Sequence, residues 1–132
     1  SANTGVVSPP EQVFQQGADA RIPLSKVNDG KLHFFAYNAA SGPVRFLTIK
    51  LASGKLGVAF DACQICGSKG YFQDGPQVIC RNCTAAINPS SIGQSGGCNP
   101  IEIRSTVEGD NIVVSASDLD GGSAYFPSSG QK

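Results

Sequence analysis

The alternation of apolar and polar residues along the chain predicts short β-strands separated by tight turns. Four segments have a strand-like composition, and turn-forming residues separate them at 28–30, 41–43 and 52–54. The segments are 21–27 (RIPLSKV), 31–37 (KLHFFAY), 44–51 (VRFLTIKL) and 55–60 (KLGVAF). Within VRFLTIKL the alternation is imperfect, which is typical of a strand that is covered partly on both faces. The pattern therefore predicts a meander of neighbouring strands.

The last third of the chain continues this pattern. Residues 100–107 (PIEIRSTV) and 111–116 (NIVVSA) flank Glu108-Gly109-Asp110, which is a strong hairpin signal. Short helical turns are expected near 89–93 and at 117–120, where polar residues can cap a helix. We therefore predict a mainly β fold built as a compact meander of short strands, with a small α+β fold as the alternative.

The length of the chain predicts one domain with two loosely attached ends. A chain of 132 residues can form one core but is too short for two well-packed domains. Residues 1–18 contain Pro9 and Pro10 and keep no periodicity, so we expect a flexible amino-terminal arm or tether. Residues 127–132 have the same character and predict a flexible tail. The segment 19–126 is expected to fold as a single β-rich domain.

Composition and charge narrow the range of functions. Ten basic and ten acidic side chains leave no net charge, so we expect no nucleic-acid partner. No run of about eighteen apolar residues occurs, so membrane association would have to come from a segment absent from this chain. Motifs for phosphate binding, for a nucleophile elbow or for a zinc hydrolase are also missing. We therefore assign no catalytic residue and expect no independent catalytic activity.

The five cysteines all lie between residues 63 and 98. In DACQICGSKGYFQDGPQVICRNC, the pairs Cys63/Cys66 and Cys80/Cys83 lie at the two ends of a predicted hairpin that turns at 74–76. A Cys-x-x-Cys turn directs two sulfurs at one point, and two such turns supply four thiolates for a tetrahedral ion with bonds of about 2.3 Å to zinc. This arrangement is typical of zinc ribbons and rubredoxins, and it predicts a metal site.

Disulfide and redox chemistry are the alternatives to a metal site. A thioredoxin-like disulfide places its motif at a helix start after a βαβ pattern, and that pattern is absent here. Two cross-paired disulfides would require an oxidising compartment and would leave one cysteine over. Within the metal interpretation, four thiolates suit zinc, mononuclear iron and an iron-sulfur cluster equally, so the pattern leaves the metal open.

The fifth cysteine, Cys98, lies in the turn sequence GGCNP. The two preceding glycines allow a close approach of the backbone to a neighbour. Cys98 can therefore be a small buried residue, a fifth thiolate ligand or a resolving thiol. Gly67 follows the first cysteine pair and suits a left-handed turn, whereas Thr84 occupies the corresponding place after the second pair and suits it less well.

Several other side chains are candidates for supporting roles. His33, the only histidine, is expected to be packed or solvent-facing rather than a ligand. Asp61 is expected to brace the first cysteine turn rather than to catalyse. The remaining candidates are Lys69 and Arg81, as surface cations or as charges that offset metal thiolates, and Tyr71 and Phe72, as a shield for the site or as ordinary core.

The string VAFDACQICGSKGYFQDGPQVICRNC, followed by SIGQSGGCNPIEI, resembles the FtrD-like membrane iron-sulfur proteins. The resemblance runs through residues 58–103, and Thr84 departs from the glycine that is common in the family. It implies that all five cysteines are metal ligands: Cys63, Cys66, Cys80, Cys83 and Cys98. It also implies a membrane-associated, extracytoplasmic or periplasmic domain that holds an iron-sulfur centre, with a membrane iron-uptake permease or a redox protein as partner.

Three functions are therefore compared with the structure. The first is an extracytoplasmic metal-binding domain, holding an iron-sulfur cluster, iron or zinc, that serves iron uptake or electron transfer. The second is a structural zinc domain in which the ion supports a small core and an interface elsewhere binds a partner. The third is a thiol-disulfide redox protein that uses Cys63 and Cys66.

Overall fold

The computed structural model describes residues 7–127, which form eleven strands, two short α-helices and two 3-10 turns. The strands are β1 (Val13–Phe14), β2 (Ala20–Pro23), β3 (His33–Ala39), β4 (Gly42–Lys50), β5 (Leu56–Cys63), β6 (Tyr71–Asp74), β7 (Gln77–Cys80), β8 (Ala86–Ile87), β9 (Pro100–Glu102), β10 (Thr106–Glu108) and β11 (Asn111–Val114). The helices are α1 (Leu24–Val27) and α2 (Ala116–Asp120), and the 3-10 turns are Pro89–Ser91 and Ser123–Tyr125. The predicted mainly β class is confirmed.

The strands form three sheets, and the largest contains the predicted meander. Its order is β1-β3-β4-β5-β9, in which β3, β4 and β5 are consecutive antiparallel neighbours. A second sheet has the order β10-β11-β2, and it includes the hairpin predicted around Gly109. The third sheet, β6-β7-β8, contains the hairpin predicted between the two cysteine pairs. The sheet that contains the meander is therefore the central one, and the two smaller sheets pack against it.

The central sheet is covered on both faces, as the imperfect alternation in VRFLTIKL predicts. Alternate residues of β4 and β5 point to opposite faces, and each face has its own apolar core. The first core faces the β10-β11-β2 sheet and includes Tyr37, Phe46, Phe60, Ile22, Ile112 and Leu119. The second core faces the β6-β7-β8 sheet and includes Leu47, Ile49, Cys63, Tyr71, Val78, Cys80 and Ile92.

Two segments predicted as single strands are divided in the structure. The strand expected over 21–27 ends at Pro23, and Leu24–Val27 forms the helical turn α1. Proline has no N–H to continue a ladder, and its fixed φ favours a helix start. The strand expected over 100–107 is split between β9, which pairs with β5, and β10, which pairs with β11. The expected helical turns appear as Pro89–Ser91 and α2.

Part of the predicted amino-terminal arm is attached to the sheet. Val13–Phe14 pairs in parallel with β3, and the Phe14 side chain is buried against the rings of Phe35 and Phe46, with centroids 6.3 and 6.2 Å away. Aromatic contacts of this kind stabilise beyond the area that they bury. Residues 1–6 of the predicted arm and 128–132 of the predicted tail lie outside the described residues. The domain boundaries therefore stay predictions.

The helices of residues 7–127 are short. The longer of the two α-helices, α2, has five residues, so no described helix is long and apolar enough to cross a membrane.

Candidate metal centre

The first cysteine pair lies in a tight turn at the end of β5. Cys63 and Gly67 exchange two backbone hydrogen bonds, Cys63 N to Gly67 O at 3.1 Å and Gly67 N to Cys63 O at 2.9 Å. The Cys66 N–H donates to the Cys63 sulfur at 2.9 Å. Gly67 has a φ of +66°, the left-handed conformation that glycine adopts without strain. The turn therefore places both sulfurs on one side, as the spacing predicts.

The second pair lies in a similar turn at the end of β7. Thr84 N donates to Cys80 O at 2.9 Å, and Cys80 N donates to Ala85 O at 3.0 Å. Thr84 has a φ of +59°, so a residue with a Cβ occupies a conformation that costs about 1–2 kcal/mol. The second turn thus keeps its geometry despite the missing glycine, at some cost in stability. Cys80 is buried here, whereas Cys83 is exposed.

Cys98 reaches the two turns from a separate loop. Gly96 and Gly97 adopt positive φ angles of 128° and 54°, which let the chain fold back before the cysteine. The Tyr71 hydroxyl donates to the Cys98 carbonyl, and the Asn99 side-chain amide donates to Ser91 O at 3.1 Å. These bonds hold the loop against β6 and against the 3-10 turn at Pro89–Ser91. Cys98 is therefore a fixed member of the cysteine cluster.

The five sulfurs meet as two overlapping groups of three. We call the group of Cys63, Cys66 and Cys80 the inner triad and the group of Cys66, Cys83 and Cys98 the outer triad. Within each triad, every Sγ lies within 4.8 Å of the other two. The structure thus brings together all five cysteines that were predicted as ligands, in two groups of three that share Cys66. Their identity as ligands stays a prediction.

The electrostatic environment differs between the two triads. Burial raises the pKa of the Cys80 thiol to about 12. The pKa of Cys83 is lowered to about 7, first because the Ala85 backbone N–H donates to its sulfur and then because of a hydrogen bond with Cys98. The same contact, with the two sulfurs 3.2 Å apart, raises the pKa of Cys98 to about 11. Cys83 is therefore readily available as a thiolate near neutral pH.

A buried ion pair braces the first cysteine turn. The Asp61 carboxylate is fully buried and accepts the Tyr71 N–H at 2.8 Å and the Arg45 Nε at 3.3 Å. Arg45 also donates to the Ser68 carbonyl at 2.5 Å, inside the loop that joins the turn to β6. Burial raises the pKa of Asp61, and the nearby Arg45 guanidinium offsets part of that shift. The bracing role predicted for Asp61 thus has a geometric basis.

Arg45 is a supporting residue that the sequence reasoning missed. The sequence nevertheless contains a signal for a contact between Arg45 and Asp61. A hairpin turn centred on Ser53 would place residues 45 and 61 opposite each other on neighbouring strands. The observed register between β4 and β5, with Phe46 opposite Phe60, has this centre. A cation and an acid at facing positions on an apolar sheet face indicate a pair.

The other candidates lie beside the triads or away from them. The imidazole of His33 contacts the carboxylates of Glu11 and Asp29, at 2.8 Å each, rather than any cysteine. Lys69 lines a surface groove of about 560 Å³ together with Cys63 and Cys66. Tyr71 and Phe72 of β6 are buried, and the guanidinium of Arg81, in the second cysteine turn, lies 5.2 Å from the centroid of the Phe72 ring.

The donor set fits a metal or an iron-sulfur group. Thiolates are soft ligands that suit zinc, copper(I) and iron-sulfur centres, and backbone N–H groups directed at the sulfurs stabilise their negative charge. Fold and site together define a β-rich domain whose clustered cysteines can hold a metal.

The comparison with known proteins agrees with this class. The chain matches the model of the membrane iron-sulfur containing proteins described as FtrD-like over residues 27–126, so it belongs to the FtrD-like family. The family resemblance read from the cysteine motifs is thereby confirmed. No curated protein and no solved structure matches the chain.

Proposed function

We propose that this domain is an extracytoplasmic metal centre that serves iron uptake or electron transfer, with Cys63, Cys66, Cys80, Cys83 and Cys98 as its ligands. The main observation in support of the proposal is that five sulfurs, from the two cysteine turns and from the separate loop of Cys98, lie close together. The family's description as membrane iron-sulfur proteins supports iron as the metal. It also supports a partner in the membrane, such as an iron permease or a redox protein.

The surface next to the inner triad supports contact with a partner. Ile65 lies between Cys63 and Cys66, and 70% of its surface is exposed. The adjoining groove, lined by Lys69 and Tyr125, brings the first cysteine turn to the surface. An exposed apolar residue beside a metal centre lets a partner approach closely and exclude water, which favours electron transfer or metal transfer.

The structural zinc function is the second candidate. Cys63 and Cys80 belong to the second apolar core, together with Tyr71 and Val78. An ion held by these sulfurs would complete that core and stabilise the β6-β7-β8 sheet. In this case the bound metal would have no redox role.

Purification without oxygen, followed by iron, zinc and acid-labile sulfide analysis and by spectroelectrochemistry, tests the proposal. We expect iron-thiolate absorption with a reversible couple in the wild type, and reduced metal content in Cys80→Ser. His33→Gln is the matched control, because His33 lies away from the triads, and it should keep its metal. Redox-silent zinc whose removal unfolds the domain would favour the structural function. A protein without metal and with paired disulfides would contradict both.

A further inference from the structure

The division of the sulfurs into two triads bears on the number of ions. Four thiolates around one tetrahedral zinc, with bonds of about 2.3 Å, lie about 3.8 Å from each other. Here the sulfurs approach within 4.8 Å in two threes, and Cys66 belongs to both. Because the two triads share Cys66, together they include all five cysteines.

The triads also differ in their exposure to solvent. In the inner triad, Cys63 and Cys80 are 2% and 1% exposed and belong to the second apolar core. In the outer triad, Cys83 is exposed and Cys98 is half-buried. An ion in the inner triad would therefore be less exposed to solvent than an ion in the outer triad, which would be the more open to exchange.

Formal charge favours two ions over one. Five thiolates with two divalent ions carry a charge of −5 + 4 = −1, and four thiolates with one divalent ion carry −4 + 2 = −2. A lower net charge lessens the desolvation penalty in a site whose inner half is buried. A thiolate sulfur has lone pairs for two metals, so Cys66 can serve both.

We propose that the cysteine cluster contains two metal positions, one in the inner triad and one in the outer triad, bridged by the Cys66 thiolate. This inference rests on the proposed metal-binding function and specifies its site. Each position offers three thiolates to a divalent, thiolate-binding ion, and solvent or an external ligand completes the coordination. The outer position is the exchangeable one.

Cobalt(II) titration of the reduced full chain, after removal of metal under argon, tests the inference. Sulfur-to-cobalt charge-transfer absorption and native mass spectrometry measure the stoichiometry. We expect two cobalt ions per chain in the wild type and one in Cys98→Ser, whose substitution lies in a surface loop and leaves the inner triad intact. In His33→Gln we expect two. Circular dichroism of each variant establishes that it is folded.

Electron paramagnetic resonance tests the shared ligand. Two cobalt ions bridged by one thiolate couple magnetically, so the signal per cobalt should fall as the second ion binds. Wild type that saturates at one cobalt would overturn the inference and leave the proposed function standing, whereas absence of any thiolate-bound cobalt would overturn both. Two bound ions in Cys98→Ser, or two uncoupled ions in the wild type, would also overturn the bridged arrangement.

Discussion

Replacing Arg45 with methionine tests the role assigned to the buried ion pair. The substitution keeps an unbranched apolar stem and removes the guanidinium, which contacts the Asp61 carboxylate at 3.3 Å, the Ser68 carbonyl at 2.5 Å and the Phe126 ring at 5.0 Å. Breaking a buried pair costs about 3–5 kcal/mol. Because 23% of the Arg45 side chain is exposed, we expect the lower end, about 3 kcal/mol. This is about a hundredfold loss in the folding equilibrium constant.

The loss of stability should depend on pH. Burial already raises the pKa of Asp61 above 3.8, and removal of Arg45 should raise it further. A carboxyl whose pKa is higher in the folded state than in the unfolded state destabilises the fold as the pH rises through that range. The cost of Arg45→Met should therefore be larger near pH 8 than near pH 5. The double variant with Asp61→Asn should lose this dependence.

Urea unfolding followed by circular dichroism, on protein of equal metal content, provides the measurement. The matched control is Arg21→Met, because Arg21 and Glu108 form a pair at 3.2 Å whose side chains are 55% and 56% exposed. Such surface pairs contribute less than about 1 kcal/mol. If Arg45→Met costs no more than Arg21→Met, or the same at both pH values, the argument for a stabilising buried pair is wrong.

Three further predictions concern the second cysteine turn, strand β5 and the contact between His33 and Asp29. Thr84→Gly should raise the melting temperature, with a gain of up to about 1 kcal/mol and unchanged metal content, because glycine adopts the φ of +59° without strain. Gly57→Ala should lower the free energy of unfolding by about 1–3 kcal/mol and reduce the urea midpoint accordingly, because its Cβ would lie 2.6 Å from the Ile92 carbonyl oxygen. The His33 hydrogen bond lowers the pKa of Asp29, so Asp29→Asn should destabilise above pH 3.8, and its difference from wild type should vanish at lower pH. A lower melting temperature for Thr84→Gly, a higher urea midpoint for Gly57→Ala, or an Asp29→Asn difference that does not shrink as the pH falls below 3.8 would refute these interpretations.

Local sequence was sufficient for the elements whose contacts are close in the chain. The hairpin between the cysteine pairs follows from the turn at 74–76, and its register, with Asp74 opposite Gln77, depends on few residues. The cysteine turns follow from the two-residue spacing, since each closes through backbone bonds within five residues. These features could be predicted because no distant segment decides them.

Distant pairings decide the features that the sequence did not indicate. β2 lies beside β11, which is about ninety residues later in the chain, so its end at Pro23 depends on a partner that local patterns do not specify. The position of Cys98 depends on β9, because Pro100 lies opposite Cys63 in the register with β5. The local sequence around Cys98 was compatible with three different roles. The pairing of β9 with β5 is what brings Cys98 next to Cys83.

The order of the cysteines along the chain determines the order in which their thiols become available during synthesis. A chain that emerges from its amino terminus presents Cys63, Cys66 and Cys80, the three members of the inner triad, before it presents Cys98. The last sulfur arrives eighteen positions afterwards, as 98 − 80 = 18, and is positioned by a strand that must first add to the edge of β5. If the inner triad binds an ion as proposed, its three thiolates are all synthesised before the strand that positions the last thiol can pair with β5.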